Sequence, residues 1–187
     1  MFFIITALLI QYLWLEGPVI AAKAKGYSQY AFPAMSSSWN LKEYRLVNYS
    51  VRLEVPENTE LIVTPDQGQE MQFNIYFSNE PLAFRGYLQL WQIGDLESFL
   101  KDSKALSPFD FIYYELSGIG QNLKDGFKAE WTADFGESWI SGREYWLRLE
   151  NTTVVRLSFF TDTKDFPEGL SPVIQKMIDS LVVTEAP

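Results

Sequence analysis

The chain has 187 residues, of which 47% are hydrophobic and 21% charged, so it can bury one sizeable core and is short for two domains. It contains no histidine and no cysteine, which removes the usual general base near neutral pH, the readiest thiol nucleophile and the ligands of most zinc sites. Its formal charge of −9 repels phosphate backbones and speaks against nucleic acid as a partner.

The N-terminal segment is a different material from the rest. Between Phe2 and Leu15 only Thr6, Gln11 and Tyr12 are not apolar. Glu16-Gly17-Pro18 breaks that run, Val19 to Ala22 resumes it, and Lys23-Ala24-Lys25 closes it. The first apolar block has the length of a signal-peptide core and falls short of the ~20 residues that cross a bilayer. Ala22-Lys23-Ala24 fits the small-x-small rule for cleavage. Residues 1–25 are therefore expected to be a signal peptide or, uncleaved, a membrane anchor through residues 2–22, with a cytosolic protein carrying an apolar arm as the third reading. No cysteine follows the block, which excludes a lipid-anchored lipoprotein. Residues 26–38, with Pro33 and Ser36-Ser37-Ser38, read as a linker, and residues 39–187 as one folded domain.

The body alternates with the period of β-strands. Val51, Leu53 and Val55 point one way and Arg52 and Glu54 the other, until Pro56 stops the strand. Met71 to Phe77, Tyr87 to Ile93, Phe109 to Leu116, Phe127 to Thr132 and Glu144 to Glu150 repeat the pattern. Val154 to Thr161 returns after the Asn151-Thr152 turn, which predicts a hairpin. The triplets at Asn48 and Asn151 match the glycosylation pattern but read as turn or strand-end residues.

Two helices interrupt the strands. The first is expected to start at Asp95, a good N-cap after Gly94, with Leu96, Phe99 and Leu100 on one face. The second starts at Ser171 with Pro172 at its first turn, and Val173, Ile174, Met177, Ile178 and Leu181 form its apolar stripe. Short turns favour antiparallel pairing, and each helix must bury its stripe on the sheet. The predicted fold class is α+β, a central antiparallel sheet flanked by helices on both faces.

Three stretches carry a family resemblance. Tyr49-Ser-Val-Arg-Leu-Glu-Val-Pro56, the pair Gly142 to Glu150 with Val154 to Phe160, and the closing Ser171 to Val183 resemble, in that order, the opening strand, late hairpin and final helix of the PsbP-like family. The match covers about Trp39 to Val183. The resemblance implies an α/β/α sandwich used mostly as a scaffold for binding other proteins, and a bacterial, envelope-facing member in particular. The family has no shared catalytic motif, so it implies no catalytic residue and no cofactor.

The candidate sites follow from residue chemistry. Asp162, Asp165 and Glu168 share a loop and are candidate oxygen ligands for a hard cation, although Lys164 sits among them and loop carboxylates before a helix also suit its dipole. Gly118-Ile119-Gly120 lacks the rest of a phosphate loop, and Asn122, Lys124, Asp125 and Gly126 read as a turn. Glu115, Glu130, Glu144 and Glu150 on strands, near Lys128, Arg143, Arg148 and Arg156, read as cross-strand ion pairs. Trp146 stands on the polar side of its strand between Glu144 and Arg148, so Trp146, Arg148, Trp91 and Tyr113 form a candidate interaction surface, unless a helix covers that face and makes Trp146 core.

The function expected from these readings is a non-catalytic, extracytoplasmic protein-binding or assembly module of the cell envelope. Its partner would be an envelope or membrane protein, and no cofactor is expected. One alternative is a small-ligand binder with an aromatic-lined cleft of roughly 300 Å³ or more between sheet and helix. The other is a hydrolase using a carboxylate pair such as Glu130 and Glu144.

Overall fold

The computed structural model describes residues 39–46, 48–64, 70–121, 124–136, 138–150 and 152–185. The expected leader or anchor at 1–25 and the linker at 26–38 lie outside the described residues. The strands are β1 (Trp39–Leu46), β2 (Tyr49–Pro56), β3 (Glu60–Thr64), β4 (Met71–Asn79), β5 (Phe84–Gln92), β6 (Asp110–Gln121), β7 (Lys124–Asp134), β8 (Trp139–Arg148), β9 (Thr153–Thr161) and β10 (Val182–Glu185). Helix α1 (Leu96–Ala105) follows β5, and α2 (Ser171–Ser180) follows a 3₁₀ turn at Glu168–Leu170.

The strands form two antiparallel sheets. One has the order β1-β2-β10 and the other β3-β4-β5-β9-β8-β7-β6. The period-two pattern explains how they pack. Val51, Leu53 and Val55 of β2 and Phe73, Ile75 and Phe77 of β4 turn toward the space between the sheets. Leu88, Leu90, Leu147, Val155, Leu157 and Phe159 complete that core from the middle of the large sheet. Fully burying each of these Leu and Phe side chains is worth about 2 kcal/mol relative to leaving it exposed. Helix α2 joins the same layer as the small sheet, burying Val173, Ile174, Met177 and Ile178. The Ser180 hydroxyl accepts a hydrogen bond from the Glu54 amide, which fixes α2 against β2.

The expected α/β/α sandwich is overturned. Among the described residues the protein is mostly β, with two sheets and only two short helices. The layer expected to be helical is instead the three-stranded sheet with α2 beside it. The physical reason is that β2 pairs with β1 on one edge and β10 on the other rather than with the large sheet. Neither Trp39–Leu46 nor Val182–Glu185 alternates cleanly enough to read as a strand by itself. The β6–β7 hairpin also runs further than the sequence suggests, since Gly118 and Gly120 pair with Phe127 and Asp125 instead of opening a turn.

Helix α1 starts where its cap places it, and α2 starts at Ser171 with Pro172 in its first turn and no side-chain cap. The Asp95 carboxylate accepts the Ser98 amide at 3.0 Å, and that bond holds its pKa below the usual carboxylate value.

Gly86 faces Phe77 on one neighbouring strand and Phe159 on the other. A Cβ there would stand 1.8 Å from the Ser158 carbonyl oxygen and 2.6 Å from the Phe77 ring. Gly86→Ala is therefore expected to lower unfolding stability by about 3 kcal/mol, read from urea denaturation. Gly118→Ala, where nothing lies within 4 Å, is expected to stay within about 0.5 kcal/mol of the parent. Equal effects at the two positions would show that the close approach at Gly86 is not a constraint.

Candidate functional site

Strand order decides where the site lies. The chain leaves the large sheet at β5 and re-enters it at β6, with β9, β8 and β7 in between. At about 4.8 Å per strand the jump covers roughly 19 Å. Helix α1 makes the crossing over the face turned away from the small sheet, and ten helical residues reach about 15 Å. Leu96 and Leu100 settle over Ile93, Trp146 and Val154. Phe99 packs against Trp91 and Trp146, with ring centres 5.7 Å from each.

The helix covers only part of that face, and beside it lies a cleft of about 490 Å³. Ten of the nineteen residues that line it are aromatic. Phe160, Gly142, Trp131 and Tyr114 stand abreast on β9, β8, β7 and β6. Gly142 makes room for the indole of Trp131, since a Cβ there would lie 2.6 Å from the ring. Phe109 and Phe135 flank the mouth and are 46% and 45% exposed. Phe109 lies nearly parallel to Trp131, at an interplanar angle of 26°.

The polar groups beneath these rings are joined to one another. The buried Glu144 carboxylate accepts the Trp131 indole N–H at 2.8 Å on one oxygen and the Trp146 indole N–H at 3.2 Å on the other. Arg156 donates to it through Nε at 3.0 Å and pairs with it through Nη2 at 2.8 Å. The Arg156 guanidinium also lies over the Trp146 ring, 4.8 Å from its centre. Beyond Arg156 the chain of bonds continues. Gln89 Oε1 accepts from Arg156 Nη1 at 3.0 Å and from the Trp91 indole at 3.1 Å. Gln89 Nε2 donates to Asn74, and Asn74 Nδ2 donates to Thr64. The network thus crosses six adjacent strands, from β3 to β7. Among the described residues, the buried Ser158 hydroxyl on β9 has no hydrogen-bond partner. The nearby Tyr114 phenol is pushed above its usual pKa by burial, with the Glu144 charge adding to that and Arg156 opposing it.

A second, more polar cleft of about 550 Å³ opens on the other face of β6, β7 and β8. Its centre is Arg143, which pairs with Glu130 and Glu168, donates to Ser171 Oγ at 2.9 Å and lies 4.6 Å from the Phe166 ring centre. Burial works against the Arg143 charge, yet Glu168 and Glu130 raise its pKa above the usual arginine value. Arg143 in turn lowers the pKa of Glu168.

The sequence-predicted residues fall into separate places. Trp91 and Trp146 come together, with ring centres 6.2 Å apart, and both line the aromatic cleft. Trp146 is buried beneath α1, so it is a cleft wall and not an exposed contact. Tyr113 lies on the opposite face of β6, half exposed, with its hydroxyl donating to Glu115. Arg148 ends β8 two residues beyond Trp146 and lines neither cleft. The acidic loop does not converge. Asp162 forms a two-point pair with Arg85, Glu168 turns to Arg143, and Asp165 borders the polar cleft. Among the described residues no three acidic side chains gather around a point where a cation could sit. Sequence reading missed Arg85, Lys104, Phe109 and Phe135 as cleft residues, and Gln89 as a member of the network beneath them. The only available signal was the polar alternation of β5, with Arg85, Tyr87, Gln89 and Trp91 on one face.

No protein-family model matches the chain, and no curated protein matches it. Among solved structures, cyanobacterial PsbP (CyanoP) from Synechocystis sp. PCC 6803 superposes with a TM-score of 0.50 at 9% identity, over 80% of this chain and 95% of that one. The fold is PsbP-like. A Pseudomonas aeruginosa protein of unknown function, PA94, superposes less closely, with a TM-score of 0.40 at 12% identity over 76% of this chain and 96% of that one. At such identity the PsbP-like comparison speaks for the backbone and leaves the cleft to be judged on its own residues.

Replacing Glu144 with Gln leaves Arg156 without its counter-charge and turns an amide N–H toward an indole N–H. Stability is expected to fall by about 2 kcal/mol in urea unfolding. The near-ultraviolet circular dichroism of the tryptophans should change with it. A loss near zero with an unchanged spectrum would mean that the carboxylate does not organise the cleft.

Proposed function

We propose that this chain is a non-catalytic, extracytoplasmic binding domain that takes a small apolar ligand into the cleft between α1 and the large sheet. The observation that carries the reading is the cleft itself. Its volume of about 490 Å³ falls within the ordinary range for small-molecule sites, and its walls are aromatic. The polar groups at its floor support binding over chemistry. Glu144 is held by three donors, and its nearest cation, Arg156, is occupied by both Glu144 and Gln89. Glu130, the other carboxylate considered for hydrolysis, lies on the opposite face, paired with Arg143 and Lys128. The two therefore cannot flank one substrate bond.

Trp91, Trp131 and Trp146 all line the cleft and report its occupancy. The neutral dye N-phenyl-1-naphthylamine is expected to bind saturably, quenching tryptophan emission and brightening its own. Ser103 is exposed on α1 and borders the cleft, so Ser103→Trp should obstruct the cleft and weaken the dye about tenfold without loss of stability. Absence of saturable binding, or binding indifferent to Ser103→Trp, would count against the reading.

A protein partner is the second reading, favoured by β6. This twelve-residue strand ends the large sheet, and Ile112 and Tyr113 on it are about half exposed. Such an edge can accept an added strand from a partner in the cell envelope.

The export reading rests on residues 1–25. Among the described residues no helix is long and apolar enough to cross a membrane. Mass spectrometry of the protein from its native host is expected to place the mature N-terminus at Lys25, after Ala24. An intact chain recovered from the cytosol would overturn the export reading and leave the cleft untouched.

A further inference from the structure

The charges around the aromatic cleft are of one kind. Arg85, Lys104 and Arg156 line it, against the single carboxylate of Glu144. This is a local reversal in a chain whose formal charge is −9. Two of the three cations are matched. Arg156 is neutralised by Glu144, and Arg85 by Asp162 at the rim. Lys104 is not. Its ammonium group lies 4.5 Å from the centre of the Tyr114 ring, and among the described residues no carboxylate comes within ion-pair distance of it. The cleft therefore offers aromatic walls with one surplus positive charge at the side formed by the last turn of α1.

We infer that the ligand of this cleft is an aromatic organic anion, its ring system among Trp131, Phe109 and Phe160 and its acidic group at Lys104. The inference rests on the cleft being a ligand site and adds the chemical class. A cationic ligand would meet Lys104 and Arg85 with like charge, and the face of Tyr114 that could attract it is taken by Lys104. A neutral apolar ligand would leave Lys104 unused. An aliphatic chain would be tolerated by the walls, but flat rings gain more from tilted and edge-on aromatic neighbours.

Two dyes share one ring system and differ in charge. 8-Anilinonaphthalene-1-sulfonate carries a sulfonate that N-phenyl-1-naphthylamine lacks. Both are titrated against the purified chain and against Lys104→Gln, at low salt and at high salt. The expected result is that Lys104→Gln weakens the sulfonate dye about fivefold and leaves the neutral dye within about twofold, which is the scale of one partly exposed ion pair. Added salt should reproduce most of that loss in the parent and little of it in the variant. Circular dichroism and urea unfolding confirm that the variant is folded. If both dyes bind and Lys104→Gln changes them equally or not at all, the anion preference is wrong and the cleft reading stands. If neither dye binds saturably, the cleft reading itself fails.

Discussion

A carboxylate taken out of water costs several kcal/mol unless donors replace its hydration. Glu144 is buried in the middle of a seven-stranded sheet and meets that condition with two indole N–H groups and one guanidinium. The consequence runs outward from this one group. Two tryptophans, which as apolar residues could have packed in several rotamers, are tied by their nitrogens to fixed points. Arg156 is tied on both sides, by Glu144 and by Gln89. The cleft above is therefore bordered by rings whose orientation is set from below. A satisfied polar network of this kind specifies one arrangement where an all-apolar face would permit many.

The cleft exists because of a length mismatch. The chain must pass from β5 to β6 across three intervening strands, and it does so with a ten-residue helix. The buried stripe of α1 is only Leu96 and Leu100, with Phe99 half-buried at its side. Those residues cover Trp91, Trp146 and Val154 and leave the row from Phe160 to Tyr114 without a covering element. A longer apolar helix would have buried that row and left no cleft on this face. The inner face shows the opposite case. Over β4, β5, β9 and β8 the small sheet and α2 cover it and the side chains between are almost fully buried, while further along the polar cleft around Arg143 stays open.

This difference explains what could be read in the sequence. The strands that line the inner core were legible because their alternation is strict: Val51, Leu53, Val55 and Phe73, Ile75, Phe77 tolerate no other register. The starts of both helices were legible because the Asp95 cap and the first-turn Pro172 act locally. The cross-strand pairing of Glu130 with Arg143, and of Glu144 with Arg156, was legible in kind. Sheet membership was not, because nothing local tells β2 which strands to pair with. Trp39–Leu46 carries Leu41 exposed and only half-buried residues at Tyr44 and Leu46, so its pattern is weak. The cleft was not legible residue by residue either. It draws on β5 through β9 and α1, and only the crossing of α1 brings Lys104 near Tyr114 or sets Phe109 against Trp131.

The two faces also separate what a shared fold can and cannot carry. The backbone follows PsbP at 9% identity, which requires that apolar alternation be kept and little else. That requirement acts on the inner face, where any apolar side chain of the right volume serves. The outer face is under a different constraint. Glu144, Arg156, Gln89 and Asn74 form a chain in which each member satisfies the next, so loss of one leaves its neighbours buried without partners. A purely structural face would not need such a chain, since apolar residues of similar size would be as stable there. Beneath the open aromatic cleft such a chain fixes the positions of the walls in advance of any binding.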